Sequence, residues 1–260
     1  MFNMHWYVIF AMLDMPALAK VDGGKGIGAK MPCQKCPIKG IHNPAKKSIT
    51  TYYVPHWCPG DDKSQTDDLL ANLQTEEFFK EVWHELTQAT TVAKYKEVQT
   101  SYGITCVLIL GLCPSINLIR SFPYGLMHLL FENLVPNLVL HWKGTFKNLD
   151  PSQDPYVLSN EVWEDIGQET VHSIHMTPSW MVRAMLDICI HVSRYTAESW
   201  AFWITWIMPY VLEDRLPPNH YQHLLLLMNI IKAITSLKLE EGWLDELEAR
   251  VWQWHAEYEE

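Results

Sequence analysis

Apolar residues at helical spacing dominate the chain after residue 65. Residues 67–98 place Leu, Phe, Val and Trp three or four positions apart, which predicts an amphipathic helix capped by Thr66. A second helix is predicted over 124–142, bent near Pro136 and ended by Gly144. The same spacing predicts five more helices, at 159–172, 178–192, 196–213, 218–237 and 241–258.

The first residues follow a different pattern. Residues 5–13 are almost all apolar, with β-branched and aromatic side chains, which indicates a strand buried on both faces. Pro16 prevents its continuation as a central strand. Residues 20–64 are rich in Gly, Pro, Lys and Cys and are expected to be irregular, with a short strand over 49–54. A sheet remnant without neighbouring strands leaves an unpaired edge, which predicts poor solubility and self-association.

Composition and charge support a division into an N-terminal segment, 1–64, and a helical domain, 65–260. The chain is 48% hydrophobic and 19% charged and contains 12 Trp, which excludes disorder of the whole protein. Its net charge of -10 argues against a surface that binds nucleic acid all over. However, residues 20–47 contain seven Lys and one Asp, whereas 238–260 contain two basic and eight acidic residues. The basic segment and the acidic segment either bind different partners or are two solvated faces.

Neither secretion nor membrane insertion is expected. The apolar run at 6–13 precedes an Ala-Leu-Ala sequence typical of signal cleavage, but no Lys or Arg precedes the run, and Asp14 and Pro16 interrupt it. Later apolar runs are shorter than the roughly 18–20 residues that cross a bilayer. Of the six cysteines, Cys33 and Cys36 alone are closely spaced, which fits a reducing compartment. We therefore expect a soluble protein.

Two sets of residues in the N-terminal segment are candidates for metal chemistry. Asp14 ends the predicted strand, where a rigidly held carboxylate can bind a metal, but it equally suits a cap of the turn before Pro16. Cys33 and Cys36 have the spacing at which two thiolates bind one Zn²⁺. A single CxxC supplies half a site, so ordinary thiols remain an alternative. Further ligands would come from His42, His56, Cys58 or His128.

Two patterns lie on predicted helices. His128 and Glu132 are one helical turn apart and face the same side of the helix. They could bind a metal, take part in proton transfer, or simply form a polar spot on the helix surface. Trp200, Trp203 and Trp206 follow one helix face. This spacing predicts core residues rather than a platform on which bases stack.

Several short blocks also follow one another in a specific order. They are LDMPA at 13–17, KG at 25–26, KMPCQKC at 30–36, YYVP at 52–55, FPYGLMH at 122–128 and ENL at 132–134. This series resembles the DDE transposases of the CACTA (En/Spm-like) family, in particular the fungal branch. With weaker similarity over 196–200 and in the acidic C-terminal helix, the resemblance covers nearly the whole chain. The chain departs from the family at Gly125, where the family has Asp, and at Ile27, where it has His.

The resemblance implies an RNase H-like core interrupted by a helical insertion. In the family, two Asp and one Glu hold two divalent cations, usually Mg²⁺, which cut and join DNA at the transposon ends. Asp14 matches one of these carboxylates, and Cys33, Cys36 and His128 match ligands of a structural zinc. The other two carboxylates would lie before the first residue and after the last. The resemblance thus implies a truncated nuclear transposase fragment that does not cleave DNA.

The fold class predicted from all these features is mainly α with a small β remnant, namely partial RNase H-like core strands plus a large helical insertion. DNA contacts are expected from the basic segment: Lys20, Lys25, Lys30, Lys35 and Lys39. An alternative function is a non-catalytic, zinc-stabilised helical module that binds DNA or protein. A third hypothesis is an unrelated helical enzyme that uses His128 and Glu132.

Overall fold

The chain is mainly helical and forms two compact units, Met1–Gly125 and Leu126–Glu260. The computed structural model describes residues 10, 12–21, 23–33, 35–42, 51–52, 73–108, 111, 113, 115–146, 154–178, 180–181, 185–238 and 241–259. The domain boundary predicted after residue 64 lies outside these residues and stays a prediction. None of the described helices has both the length and the apolar character needed to span a membrane.

The described part of the first unit contains three α-helices and one pair of short strands. They are α1 (Met15–Val21), β1 (Ile41–His42), β2 (Thr51–Tyr52), α2 (Glu76–Gln88) and α3 (Val92–Tyr102). The strands pair antiparallel, with Ile41 opposite Tyr52, which confirms a short strand within 49–54. The core of this unit lies between α2, α3 and the segment after α3, and it includes Phe79, Val82, Leu86, Val98 and Ile104.

The single helix predicted over 67–98 is wrong, because two threonines each begin a separate helix. The hydroxyl of Thr75 accepts a backbone N–H of the first turn of α2, and that of Thr91 accepts one of α3, both at 3.2 Å. Each hydroxyl satisfies a donor that has no partner within its own helix. The predicted cap, Thr66, lies outside the described residues.

The strand predicted at 5–13 also lies almost entirely outside the described residues. At its end, Leu13 forms an isolated parallel bridge with Tyr124. An RNase H-like core, and the self-association expected from its free edge, therefore stay predictions.

The second unit is a helical body whose elements match most of the predicted ones. A π-helix, Met127–Leu134, continues into α4 (Val135–Trp142), and Gly144, with φ +63°, follows the end of α4 as predicted. The next helices are α5 (Asn160–Ser173), α6 (Ile188–His191), α7 (Ala197–Phe202), a π-helix (Trp203–Ile207), α8 (Met208–Val211), α9 (Pro218–Ile234) and α10 (Trp243–Glu259).

The prediction of one helix over 178–192 is wrong. Among the described residues of this range, only α6 is α-helical. The Oδ1 of Asp187 accepts the N–H groups of Cys189 at 2.8 Å and Ile190 at 3.3 Å, which makes Asp187 the cap. Gly167 in α5 leaves room for this carboxylate, since a Cβ there would overlap it. The residue that caps α6 thus packs directly against α5.

The core of the second unit is rich in tryptophan. Trp200 and Trp203 are buried, as predicted, and the indole N–H of Trp203 donates to the hydroxyl of buried Thr170 at 3.1 Å. Trp206 is 51% exposed, so its prediction as a core residue is wrong. Its ring instead lies 5.2 Å from the ammonium of Lys232, an arrangement that suits a cation–π contact.

Candidate functional site

Cys33 and Cys36 lie in one tight turn of the first unit. We call this turn, which also includes Lys35, the cysteine turn. The Sγ of Cys33 accepts hydrogen bonds from the backbone N–H groups of Lys35 and Cys36, both at 3.3 Å. Donors of this kind favour the thiolate, because they place partial positive charge next to sulfur. The turn therefore presents two thiols, one of which is prepared as the anion that binds zinc.

Gln74 holds the cysteine turn in place. Its side-chain amide donates to the carbonyl oxygens of Cys33 and Cys36, both at 3.2 Å, and its backbone N–H donates to the carbonyl of Lys35 at 2.9 Å. Gln74 is buried and directly precedes the cap of α2. The start of this helix thus positions both cysteines.

The two thiols have opposite acidities. A hydrogen bond from the Cys36 thiol is the largest cause that lowers the pKa of Cys33 to about 5, against the effect of burial. The backbone donors and the hydroxyl of Tyr124 lower it further. The same thiol–thiol bond, together with burial, raises the pKa of Cys36. The bond between the thiols therefore favours a thiolate at Cys33 and a proton at Cys36, and a metal ion would displace that proton on binding.

Tyr124 connects the end of the first predicted strand to the cysteine turn. Its backbone pairs with Leu13, and its Oη lies 3.6 Å from the Sγ of Cys33. Its ring centroid lies 5.6 Å from the Nζ of Lys35, which also donates to the carbonyl of Ile119 at 2.9 Å. Burial lowers the pKa of Lys35, and the neighbouring Cys33 thiolate opposes that effect. Tyr124 thus contacts both the sulfur and the cation of the turn.

Asp14 lies beside this arrangement as the cap of α1. Its Oδ1 accepts the N–H of Ala17 at 2.6 Å, and its carbonyl accepts the N–H of Leu18 at 2.7 Å. The structure therefore shows the capping role that was the alternative to metal binding. Metal binding by Asp14 stays a prediction.

Four of the five lysines predicted to contact DNA are exposed. They are Lys20, Lys25, Lys30 and Lys39. The segment is anchored near Lys25, whose backbone N–H donates to the carbonyl of Gly103 at 2.7 Å and whose Nζ donates to the hydroxyl of Thr100 at 3.1 Å. Lys35 differs from the other four, because it is half-buried within the cysteine turn.

His128 and Glu132 belong to the second unit. The Nε2 of His128 lies 3.3 Å from the Oε2 of Glu132, which confirms that both face the same side. Because both side chains are substantially exposed, such a pair contributes no more than about 1 kcal/mol to stability. This geometry fits the polar spot on a helix surface, and a shared zinc with the cysteines stays a prediction.

The described residues do not supply a full set of zinc ligands around the two cysteines. Within them, no group of three or more His, Cys, Asp and Glu side chains is arranged to hold a metal ion. His56 and Cys58 lie outside the described residues, and the side chain of His42 does too. The cysteine turn therefore fits one half of a zinc site.

Sequence reasoning missed Gln74 and Tyr124. Tyr124 lies in the block FPYGLMH, so its position in that block was an available signal, whereas no local pattern distinguishes Gln74. Comparisons with protein-family models, curated proteins and solved structures find no match to this chain. The site is thus interpreted from its own geometry and from the sequence blocks.

Proposed function

We propose that this chain is a DNA-binding module of DDE-transposase descent that holds a structural zinc ion and does not cut DNA. The observation that supports it best is the cysteine turn, where the Sγ of Cys33 accepts two backbone N–H groups and the pKa of Cys33 is about 5. Zn²⁺ prefers thiolate ligands, and it would displace the proton of Cys36 on binding. Descent from an RNase H-like enzyme and a nuclear location are what the resemblance adds.

The basic segment supplies the proposed DNA surface. Lys20, Lys25, Lys30 and Lys39 are exposed on both sides of the cysteine turn in sequence. Ammonium groups bind DNA phosphates by releasing condensed cations, so the affinity is expected to fall steeply with salt. Lys35 differs from these four, because its half-buried ammonium donates to the backbone carbonyl of Ile119.

The role of Asp14 supports a module that does not cleave. One of its carboxylate oxygens caps α1, as a structural residue does. A nuclease of the DDE type needs its carboxylates as ligands of two divalent cations, usually Mg²⁺. We therefore expect no Mg²⁺-dependent nicking of a supercoiled plasmid by the full chain, and nicking that is lost in Asp14→Asn would contradict this part of the proposal.

Zinc analysis tests the metal site. The full chain, purified from zinc-supplemented medium, is expected to contain about one zinc ion, as structural sites do. The double variant Cys33→Ser/Cys36→Ser should lose it, whereas Cys106→Ser, which changes an exposed cysteine of the same unit, should keep it. Equal zinc in all three chains would refute the site. Zinc retained in His128→Ala would remove His128 from the ligand set.

Binding of duplex DNA, followed by fluorescence anisotropy at several salt concentrations, tests the surface. Changing the four exposed lysines to Gln should weaken binding and reduce the magnitude of the slope of log K against log salt by up to about 3.6, which is about 0.9 for each lysine that contacts a phosphate of duplex DNA. A matched variant removes the same charge elsewhere, at the exposed residues Lys80, Lys94, Lys96 and Lys238. If both variants lose the same affinity, net charge rather than the basic segment explains the binding.

A further inference from the structure

A cavity of about 520 Å³ lies inside the second unit. Its walls come from α4, from residues 154–156, from α9 and from α10. The volume lies in the range of sites that bind small molecules or single side chains. Neither the proposed zinc site nor the proposed DNA surface includes this cavity, so a ligand of the cavity is independent of both.

The cavity wall includes two acidic side chains and three histidines. The carboxylates of Asp154 and Glu257 line it, and no Lys or Arg is found among the described residues of its wall. A phosphate or carboxylate ligand would meet repulsion from both carboxylates without a Lys or Arg to compensate, whereas a positive group is attracted by both. The wall therefore favours a cation.

Aromatic rings form much of the remaining wall. The rings of His223 and Trp254 are stacked, with centroids 5.1 Å apart and planes 5° from parallel, and the ring of Tyr258 packs against both, 5.4 Å from Trp254 and 6.3 Å from His223. Tyr156 packs edge to face against His220 at 5.3 Å. The faces of Trp and Tyr rings carry negative charge density, which attracts cations.

Most polar groups of the wall are engaged with one another or with adjacent residues, whereas the buried indole N–H of Trp254 has no hydrogen-bond partner in the described part of the chain. The hydrogen-bonded pairs are Tyr258–His141 at 3.2 Å, Tyr156–Asp154 at 3.0 Å, His223 with the carbonyl of Trp254 at 2.8 Å, and Gln253–Glu257 at 2.8 Å. A ligand that needs many hydrogen-bond partners would have to break these bonds. Three leucines of the wall, Leu138, Leu224 and Leu227, are apolar and cannot replace hydrogen bonds that a ligand breaks.

We propose that this cavity binds a methylated ammonium group. Such a group has a full positive charge for Asp154 and Glu257, and its methyl groups contact the leucines and the aromatic faces. A quaternary ammonium has no N–H to satisfy, so the existing bonds of the wall stay intact. A small quaternary ammonium compound and a trimethylated lysine side chain share this chemistry.

Calorimetric titration of the full chain with choline and with 3,3-dimethylbutan-1-ol tests the proposal. The alcohol has the shape of choline but carries no charge. Choline should bind at least about tenfold more tightly, a ratio in the range of cation–π and ion-pair contributions. Equal affinity for the two compounds, or no binding of choline, would overturn the proposal without any variant of the protein.

Charge-removing variants locate the site. Asp154→Asn and Glu257→Gln keep the size of each side chain and should each weaken choline binding about threefold to tenfold. Glu248→Gln removes an exposed carboxylate of α10, the helix that also contains Glu257. Because Glu248 does not line the cavity, this variant should leave binding unchanged. Equal effects of the three variants would place the bound cation elsewhere and contradict the proposal.

The two sources of the cation are distinguished in the same assay. Titration with the amide of trimethyllysine shows whether a side chain enters, and tighter binding than choline would assign the site to a methylated protein partner. Tighter binding of choline would assign it to a small molecule. The amide of unmodified lysine should bind at least about tenfold more weakly than the trimethylated one, because its N–H groups lose water without gaining partners. Equal binding of the two amides would refute methyl recognition.

Discussion

The Sγ of Cys33 lies 3.6 Å from the Oη of Tyr124, although 91 positions separate the two residues in the sequence. Tyr124 also pairs with Leu13 through its backbone. Tyr124 thus connects two segments that are distant from it in sequence, one through its backbone and one through its hydroxyl. The acidity of the Cys33 thiol is therefore a property of the folded unit, and it can be measured.

Removal of either side-chain donor should raise the pKa of Cys33. Cys36→Ala removes the largest cause of the low pKa, and Tyr124→Phe removes a smaller one, so the first variant should show the larger rise. The measurement is the rate of alkylation of Cys33 against pH in EDTA, followed by peptide mass spectrometry. Exposed Cys106 in the same samples is the internal control. An unchanged midpoint in Cys36→Ala would contradict the bond between the two thiols.

The low pKa of Cys33 also predicts how stability depends on pH. The pKa is about 5 in the folded chain and has its ordinary value of 9.0 in the unfolded one. Between these values the unfolded chain binds more protons, so the contribution of Cys33 to stability grows with pH and is lost as pH falls toward 5. Urea unfolding in EDTA and reductant should therefore show a gap between wild type and Cys33→Ser that widens from pH 5 to 9. A constant gap is the contrary result.

The buried hydrogen bond between Trp203 and Thr170 predicts an effect in the second unit. Thr170→Val keeps the shape but leaves the indole N–H without its acceptor, which should lower the free energy of unfolding by about 1–3 kcal/mol. Thr170→Ser keeps the hydroxyl and should cost less. Urea unfolding compares the two, and a valine variant at least as stable as the serine variant would show that the bond contributes little.

Gly103 and Gly28 form a matched pair for backbone strain. Both have positive φ, +68° and +93°, but an added Cβ would overlap the carbonyl of Met31 at Gly103 and meet open space at Gly28. Gly28→Ala should lower the free energy of unfolding by about 1 kcal/mol, because of the positive φ alone. Gly103→Ala should lower it by about 3 kcal/mol or more, because of the added steric overlap. Thermal and urea unfolding measure both. Equal losses would mean that the chain shifts freely around Met31.

Helical spacing predicted most helices of the second unit, because an amphipathic period is a local property of the chain. The two wrong helices, over 67–98 and 178–192, fail for one reason. In each, a side chain that accepts backbone N–H groups, Thr91 or Asp187, begins a helix inside the predicted one. Periodicity records which residues are apolar, and it does not record where a cap outcompetes the continuing helix.

By itself the sequence determined the local features of the candidate site: the spacing of Cys33 and Cys36, the basic segment around them, and the position of Asp14 before Pro16. Only the tertiary structure decided that Gln74 and Tyr124 hold the cysteine turn, that Lys35 lies inside it, and that a cavity opens between four segments of the second unit. Spacing along a chain is set by covalent geometry, whereas the approach of distant side chains depends on how whole helices pack.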